Sequence, residues 1–220
     1  MGLADYKELV GSAAGFCTVA QIFAPVFICK DIVKQGNTEN VTPSPFIGGL
    51  GMSLVVLKYG HILNDATITS VNLFGFVLNI LYLSLFYYYT NEREQLLKNT
   101  IKILLGVGAI YGYTVAEFSP TRLEFNYGII ITVLMLFHIA TPLLDLKTII
   151  ANKDTGSLPF PMIFSGAVVT FLWLLYGIII ENAFIQFQNV IAFSLLAFQL
   201  LLFLIYPPQY KAEKETKKKI

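Results

Sequence analysis

The sequence repeats itself after 117 residues without a gap, and this repeat limits the possible folds more than any other feature of the chain. The positions that coincide after the shift include polar residues and turn formers: Pro25/Pro142, Lys30/Lys147, Thr38/Thr155, Tyr59-Gly60/Tyr176-Gly177 and Asn72/Asn189. Apolar residues coincide easily in a hydrophobic chain, but proline, lysine, glycine and asparagine at one offset do not. The chain therefore contains two copies of one structural unit.

The chain carries too few charges to cover a surface that faces water. Of its 220 residues, 55% are hydrophobic and 13% are charged, whereas a soluble domain of this size has about 25% charged residues. This composition predicts an all-α integral membrane protein. We expect membrane lipid and no nucleic acid among its partners.

Apolar runs of about the length that crosses a bilayer, roughly 20 residues, predict six of the spans. Spans 1, 2, 3, 5, 6 and 7 are Val10–Cys29, Val41–Leu57, Ala66–Asn91, Phe125–Leu144, Thr155–Ile180 and Asn182–Tyr210. Span 4 is weaker, because Ile103–Ala116 has only 14 uncharged residues. Charged side chains that reach the interface would extend it to Asn99–Pro120.

The distribution of basic residues favours seven spans. With seven, 12 of the 15 lysines and arginines lie on one side, and only Lys7, Lys58 and Arg122 lie on the other. Because cytosolic loops carry the excess of lysine and arginine, we expect the N-terminus outside and the C-terminus in the cytosol.

The repeat and the spans together define the predicted architecture. A shift of 117 residues crosses four spans, an even number, so both copies point the same way through the membrane. We predict a first three-helix repeat over 1–91, a linker helix with its loops over 92–123, a second repeat over 124–210 and a lysine-rich cytosolic tail over 211–220. Parallel repeats of this kind are a construction that transporters use.

The motifs, in their order along the chain, resemble those of the SWEET (MtN3/saliva) family of sugar transporters, and we expect an animal member. The resemblance rests on Pro25 with Lys30, Pro45-Phe46 before Tyr59-Gly60, Pro142 with Lys147, Pro159-Phe160 before Trp173-x-x-Tyr176-Gly177, and Asn72 and Asn189. It covers residues 10 to 208. It implies facilitated, bidirectional movement of mono- or disaccharides down their gradient, by alternating access and without a cofactor.

Asn72, Asn189 and Trp173 are the main candidates for contact with a sugar. A carboxamide donates and accepts hydrogen bonds, as a sugar hydroxyl does, although bonding between helices is the alternative role. Trp173, the only tryptophan, can pack its ring on the CH face of a sugar. Its repeat partner is Val56, where the family usually has a second tryptophan.

Polar residues four positions before the first proline of each repeat are further candidates. Gln21 and His138 occupy these positions, and an ionisable group within a membrane is a functional candidate by default. The resemblance adds Thr18, Met52 and Val169 to the cavity lining. The bulk of His138 leads us to expect preference for a monosaccharide such as glucose.

The resemblance also implies hinges and an outer gate. The hinges would be the four prolines Pro25, Pro45, Pro142 and Pro159, since proline removes a backbone donor and weakens a helix. The outer gate would be Tyr59, Tyr176, Asp65 and Asn182. Asparagine at 182 replaces the usual aspartate, and anchoring at the interface is an alternative role for both tyrosines.

The positions of the titratable groups favour a uniporter. Every carboxylate lies at the end of a span or beyond it, whereas proton-coupled carriers hold an acid deep in the membrane. The chain has no catalytic triad, metal-spaced cluster or phosphate loop, so we expect neither an enzyme nor a metal site. The alternatives are a PQ-loop-type cargo receptor and a proton-coupled amino-acid exporter. We expect the plasma membrane, with the Golgi as the other location, and the small residues of the helices are compatible with a homo-oligomer.

Overall fold

The computed structural model describes residues 2–156 and 158–207, without the side chains of Leu3 and of residues 140–145, 147 and 148. The predicted tail 211–220 and the end of span 7 at Tyr210 lie outside the described residues. In this part of the chain a short 3-10 helix, Leu3–Tyr6, precedes eight α-helices. They are α1 (Lys7–Ile22), α2 (Pro25–Gln35), α3 (Ser44–Ile62), α4 (Ala66–Tyr89), α5 (Arg93–Ala116), α6 (Pro120–Asn152), α7 (Phe160–Ile179) and α8 (Ala183–Ile205).

These helices form the predicted seven-helix membrane fold. Helices α1 and α2 are one apolar span, Ala4–Gln35, interrupted by a turn, and α3 to α8 are the other six. Five spans are apolar enough by composition alone to cross a bilayer. The other two are α3, which carries Lys58, and α5, which begins with Arg93 and Glu94. Both have 19 residues or more, enough length for a span.

The sequence predicts span 4 from Asn99 to Pro120. In the structure it is α5, Arg93–Ala116, which begins earlier and ends before Pro120. The carboxylate of Glu117 accepts a hydrogen bond from the Ser119 N–H at 2.9 Å and lies 3.1 Å from the guanidinium of Arg122. The Ser119 bond, followed by the charge of Arg122, holds the pKa of Glu117 below its ordinary value. An ionised Glu117 therefore organises the turn, and Pro120 begins the next helix.

The described residues pack as two compact units. One runs from Thr18 to Ile131, and the other contains the described residues up to Cys17 and those from Thr132 onwards. In the first unit α3 packs most extensively on α4, while α5 lies along α3 and α2 along α4. In the second unit α7 packs most extensively on α8. Each unit thus centres on the same helix pair of its repeat.

The apolar clusters of the two units share residues at equivalent positions. The first contains Cys29 and Ile32 of α2, and Leu85 of α4 packs against it. The second contains their partners at the repeat offset, which are Leu146, Ile149 and Leu202. Val41/Leu158 and Tyr89/Tyr206 pack against the respective clusters. The repeat seen in the sequence is therefore also present in the packing.

The corner between α3 and α4 combines a helix stop with a helix start. Asn64 adopts the left-handed conformation, with φ 52°. The N–H of Asp65 donates to the carbonyl of Gly60 at 2.8 Å, and that of Asn64 donates to His61 at 3.2 Å. This pair of bonds is the Schellman motif that ends many helices. The Asp65 carboxylate then accepts from the N–H of Ile68 at 3.0 Å and caps α4.

The corner between α7 and α8 repeats this arrangement bond for bond. Glu181 has φ 55°, and the N–H of Asn182 donates to the carbonyl of Gly177 at 2.9 Å. The amide oxygen of Asn182 accepts from the Ile185 N–H at 3.0 Å and caps α8. Only four described residues have positive φ, and they fall into two pairs at the repeat offset, Gly36/Lys153 and Asn64/Glu181. The duplication thus extends to the least common backbone conformations of the chain.

Candidate functional site

The two predicted sugar-contacting asparagines have the same local geometry. The side-chain N–H of Asn72 donates to the carbonyl of Ile68 at 2.8 Å, and that of Asn189 donates to Ile185 at 2.8 Å. Both side chains are half-buried. A carboxamide has two N–H donors and an oxygen with two lone pairs, so this bond orients each amide and uses a quarter of its hydrogen-bonding capacity.

The Tyr-Gly motifs lie where the helices of each pair cross. A Cβ on Gly60 would lie 2.9 Å from the backbone nitrogen of Thr69, and one on Gly177 would lie 3.1 Å from that of Gln186. Glycine therefore permits the close crossing, one turn before each capped corner. Tyr59 and Tyr176 are only 1% and 0% exposed, so both pack inside the protein, and the predicted alternative of anchoring at the interface is wrong.

Asp65 and Asn182, the other predicted gate residues, are the N-caps described above and are buried. Aspartate and asparagine cap helices about equally well. The replacement of aspartate by asparagine in the second repeat therefore leaves the corner intact. A role of these two residues in a gate stays a prediction.

Trp173 belongs to a small aromatic group on α7. Its ring meets that of Tyr176 edge to face, with 5.5 Å between the ring centroids and 87° between the planes. This contact restricts the tryptophan ring, one face of which we predict to pack on a sugar. Val56, at the equivalent position of α3, is half-buried and supplies only an aliphatic side chain.

The first predicted hinge is a real break in the helix. Pro25 has no N–H for the carbonyl of Gln21, which instead accepts from the Ala24 N–H at 3.0 Å. Next, the N–H of Val26 donates to Phe23 at 2.9 Å, a spacing of three residues where an α-helix has four. The resulting turn separates α1 from α2.

The other three predicted hinges have different settings. The backbone of α6 is helical through Pro142, whose side chain lies outside the described residues. Pro45 is in the first turn of α3, and Pro159 is the N-cap of α7. Proline is well accommodated at a helix start, because the first N–H groups have no partner within the helix. Pro45 and Pro159 therefore set where helices begin and bend neither of them.

The remaining predicted lining residues lie on α1, α3, α6 and α7. Gln21, Thr18 and Met52 are half-buried, Val169 is buried, and His138 is exposed. Residues from Thr18 to Asn72 belong to the unit Thr18–Ile131, and those from His138 to Asn189 belong to the other unit. Each unit thus carries one half of the predicted site.

Sequence reasoning missed two tyrosines that fix α3. The hydroxyl of Tyr111 on α5 donates to the carbonyl of Leu54 at 2.7 Å. The hydroxyl of Tyr127 on α6 donates to Val55 at 3.0 Å, and its ring stacks on Tyr59 with 6.0 Å between centroids. Neither tyrosine has a distinguishing signal in the sequence, because tyrosine is frequent in this chain.

Sequence reasoning also missed a polar pair in the second unit. The side-chain N–H of Gln188, a buried residue, donates to the hydroxyl of Thr132 at 2.6 Å and ties α8 to α6. The first repeat has Val71 and Gly15 at these positions. A glutamine next to the candidate Asn189, within an apolar helix, was a signal that could have found it.

The fold and the paired polar positions define a class, the seven-helix membrane transporters with an internal repeat. The profile of a family described as "Sugar efflux transporter for intercellular exchange" (MtN3_slv) matches residues 8–94 and 125–211. The chain belongs to this MtN3/saliva, or SWEET, family.

Similar proteins agree with this membership. "Sugar transporter SWEET1" of Drosophila pseudoobscura pseudoobscura is 29% identical over 205 residues, which are 92% of this chain and 90% of that protein. "Bidirectional sugar transporter SWEET10" of Arabidopsis thaliana is 29% identical over 189 residues, which are 83% of this chain and 65% of that protein. A solved structure of a eukaryotic SWEET transporter matches with a TM-score of 0.84 and 24% identity, over 93% of this chain and 98% of that one. These relatives are named as transporters and not as enzymes.

Proposed function

We propose that this protein is a facilitative, bidirectional sugar uniporter that carries a monosaccharide such as glucose. The single observation that carries the proposal is the identical orientation of Asn72 and Asn189 by the same bond to the carbonyl four residues earlier. The names of the relatives, sugar transporter and bidirectional sugar transporter, support the substrate class and the direction of movement.

The proposed binding site uses one amide from each repeat. After the bond to its own helix, each amide keeps one N–H and its oxygen lone pairs for a sugar hydroxyl. Trp173 supplies a ring for the CH face of the sugar. Val56, Gln21, His138, Thr18, Met52 and Val169 complete the proposed lining. In this proposal one ring and a neutral polar lining favour a small, neutral, hydroxyl-rich substrate.

Movement of the two repeats would expose this site to each side in turn. The break at Pro25 supports a hinge in the first repeat, and we propose that Pro142 is its counterpart. Pro45 and Pro159 would act at the starts of their helices, and Tyr59, Tyr176, Asp65 and Asn182 would close the outer side. We propose the repeat boundaries given above, an external N-terminus, a plasma-membrane location, contact with lipid and assembly into a homo-oligomer.

Uniport follows from the absence of a carboxylate in the middle of any span in the sequence. We expect glucose transport to be independent of pH between about 5 and 8, the range in which histidine side chains ordinarily change charge. A proton-coupled amino-acid exporter would show a pH optimum and would be driven by a proton gradient. A cargo receptor would give no sugar flux.

The deciding experiment measures radiolabelled glucose and sucrose flux in proteoliposomes of the purified protein. Asn72→Ala and Asn189→Ala should each lower glucose uptake about tenfold. Each variant loses a hydrogen bond to the sugar, and a loss of about 1.4 kcal/mol corresponds to a factor of ten. Asn79→Ala is the matched control, since Asn79 makes the same bond, to Gly75 at 2.8 Å, on the same helix. Equal flux in all three variants would remove the asparagines from the site, and no flux in the parent protein would reject the function.

A further inference from the structure

The break at Pro25 releases a second carbonyl, that of Ile22. In a regular α-helix this oxygen would accept the N–H of Val26. That N–H donates to Phe23 instead, at 2.9 Å. A carbonyl without a partner is costly in the interior of a membrane, and a helix break there needs a donor from a neighbouring helix.

Tyr82 of α4 provides this donor. Its hydroxyl lies 2.9 Å from the carbonyl oxygen of Ile22. The side chain is only 5% exposed, and its ring packs on that of Phe46 with 6.0 Å between centroids. The hydroxyl is therefore held in place by packing in the core of its unit.

A glycine of α4 also lies close to the break. Gly75 lies seven residues before Tyr82, on the same face of α4, and a Cβ there would lie 3.2 Å from Cδ1 of Ile22. Gly75 and Tyr82 thus bring one helix face against the broken segment. The contact contributes more in the bent form, because in a regular helix the Val26 N–H would already satisfy the Ile22 carbonyl.

We propose that Tyr82 is a positioning residue that stabilises the bent form of the first hinge and so sets the balance between the conformations of the transport cycle. The link to transport rests on the proposed function, whereas the link between Tyr82 and the break does not. The equivalent position of the second repeat is Gln199, which is also buried. The sequence therefore offers a natural substitute donor, and Tyr82→Gln is the conservative variant.

The first test is a double-mutant cycle read by thermal unfolding of the full protein in detergent. Tyr82→Phe removes only the hydroxyl and should lower the melting temperature. In a Pro25→Ala background residue 25 regains its N–H and the Val26 N–H can reach the Ile22 carbonyl. Tyr82→Phe should then have a much smaller effect, because this carbonyl keeps a backbone donor. Tyr88→Phe on the exposed face of α4 is the control, because Tyr88 is 70% exposed. Additive effects of Tyr82→Phe and Pro25→Ala would overturn the proposal.

The second test measures the transport asymmetry, which a general loss of folded protein does not change. Removal of a bond from one conformation should change the ratio of the KM values for glucose influx and efflux about fivefold, the population change expected from one hydrogen bond. Vmax/KM must remain equal in both directions for a passive carrier. Tyr82→Gln should restore at least part of the ratio. If Tyr82→Phe and Tyr88→Phe gave the same ratio of KM values for influx and efflux, the role of Tyr82 in transport would be overturned. A parent protein without flux would reject the proposed function. The unfolding cycle would still test the contact between Tyr82 and the break.

Discussion

The two repeats have the same turns but different hinges. Each corner has one Schellman motif and one N-cap. The hydrogen bonds of Asp65 and those of Asn182 have lengths that agree within 0.1 Å. In contrast, Pro25 separates α1 from α2, whereas α6 continues through Pro142 to Asn152. The same residue at the equivalent position of the two repeats therefore has two outcomes.

This difference shows which parts of a duplicated unit are constrained. The corners set the crossing of each helix pair, and their backbone bonds cannot change without moving whole helices. Side chains can change separately, as Val56/Trp173 in the proposed site and Val71/Gln188 beside it have done. We therefore interpret the second repeat as the one that supplies the aromatic ring of the proposed site, and the first as the one with the bend at Pro25.

The largest expected effect comes from filling the helix crossings. Gly60→Ala would place Cβ 2.9 Å from the Thr69 backbone nitrogen, so α3 and α4 must separate. We expect a loss of about 1–3 kcal/mol of stability and loss of transport. Gly177→Ala should cost less, because the nearest backbone atom to its Cβ, the nitrogen of Gln186, is 3.1 Å away. Thermal unfolding in detergent and glucose flux measure both effects.

The control for the glycine series is Gly48→Ala. No atom lies within 4 Å of a Cβ at Gly48, and alanine favours a helix over glycine by about 1 kcal/mol. This variant should therefore be as stable as the parent or more stable. If Gly177→Ala were more destabilising than Gly60→Ala, the crossing of α7 and α8 would be the tighter one. That result would contradict the comparison of the two crossings.

The next effect concerns the aromatic ring of the proposed site, which the second repeat has at Trp173 and the first repeat lacks at Val56. Trp173→Ala should raise the KM for glucose about tenfold, because a stacked aromatic ring contributes roughly 0.5–1.5 kcal/mol beyond its buried area. Val56→Trp would restore the second ring and should lower KM. Concentration-dependent uptake in proteoliposomes measures both values. Trp173→Phe is the control that retains a ring, and an alanine variant with unchanged KM would exclude Trp173 from the site.

Sequence reasoning predicted the duplication, the seven spans and the break at Pro25, because periodic apolar runs and prolines are strong local signals. It did not predict that α6 continues through Pro142. The residues around both prolines are similarly apolar, so their different outcomes depend on neighbouring helices, which a single sequence does not reveal.

The role of Tyr82 could not be predicted for the same reason. An aromatic residue in an apolar helix has no signal that separates a lipid-facing ring from one that donates to a broken helix. The caps Asp65 and Asn182 were visible, since each directly precedes an apolar helix. The resemblance assigns both residues to the outer gate, although their positions before α4 and α8 also predict helix caps.

A smaller effect concerns the two left-handed positions of the second repeat. Gly36 and Asn64 tolerate positive φ, whereas their partners Lys153 and Glu181 carry a side chain that disfavours it. Lys153→Gly and Glu181→Gly should each stabilise the protein by about 0.5–1 kcal/mol, measured by thermal unfolding. Gly36→Ala should destabilise it by a similar amount. A loss of stability on both glycine substitutions would mean that the lysine and glutamate side chains compensate for their backbone strain.

The smallest expected effect separates a cap from a gate. Asn182→Asp and Asp65→Asn exchange the caps of the two repeats, and these residues cap about equally well, so stability should change by less than about 0.5 kcal/mol. If the residues act only as caps, glucose influx and efflux will also stay unchanged in both variants. If the outer gate uses the charge of Asp65, Asp65→Asn will alter the KM ratio of influx and efflux without altering the melting temperature, because a bond to an ionised group is roughly twice as strong as a neutral one. Asn182→Ala is the control, since loss of the cap should cost about 1 kcal/mol. A large loss of stability in either exchange would show that the two corners, despite their equal bond distances, do not tolerate each other's caps.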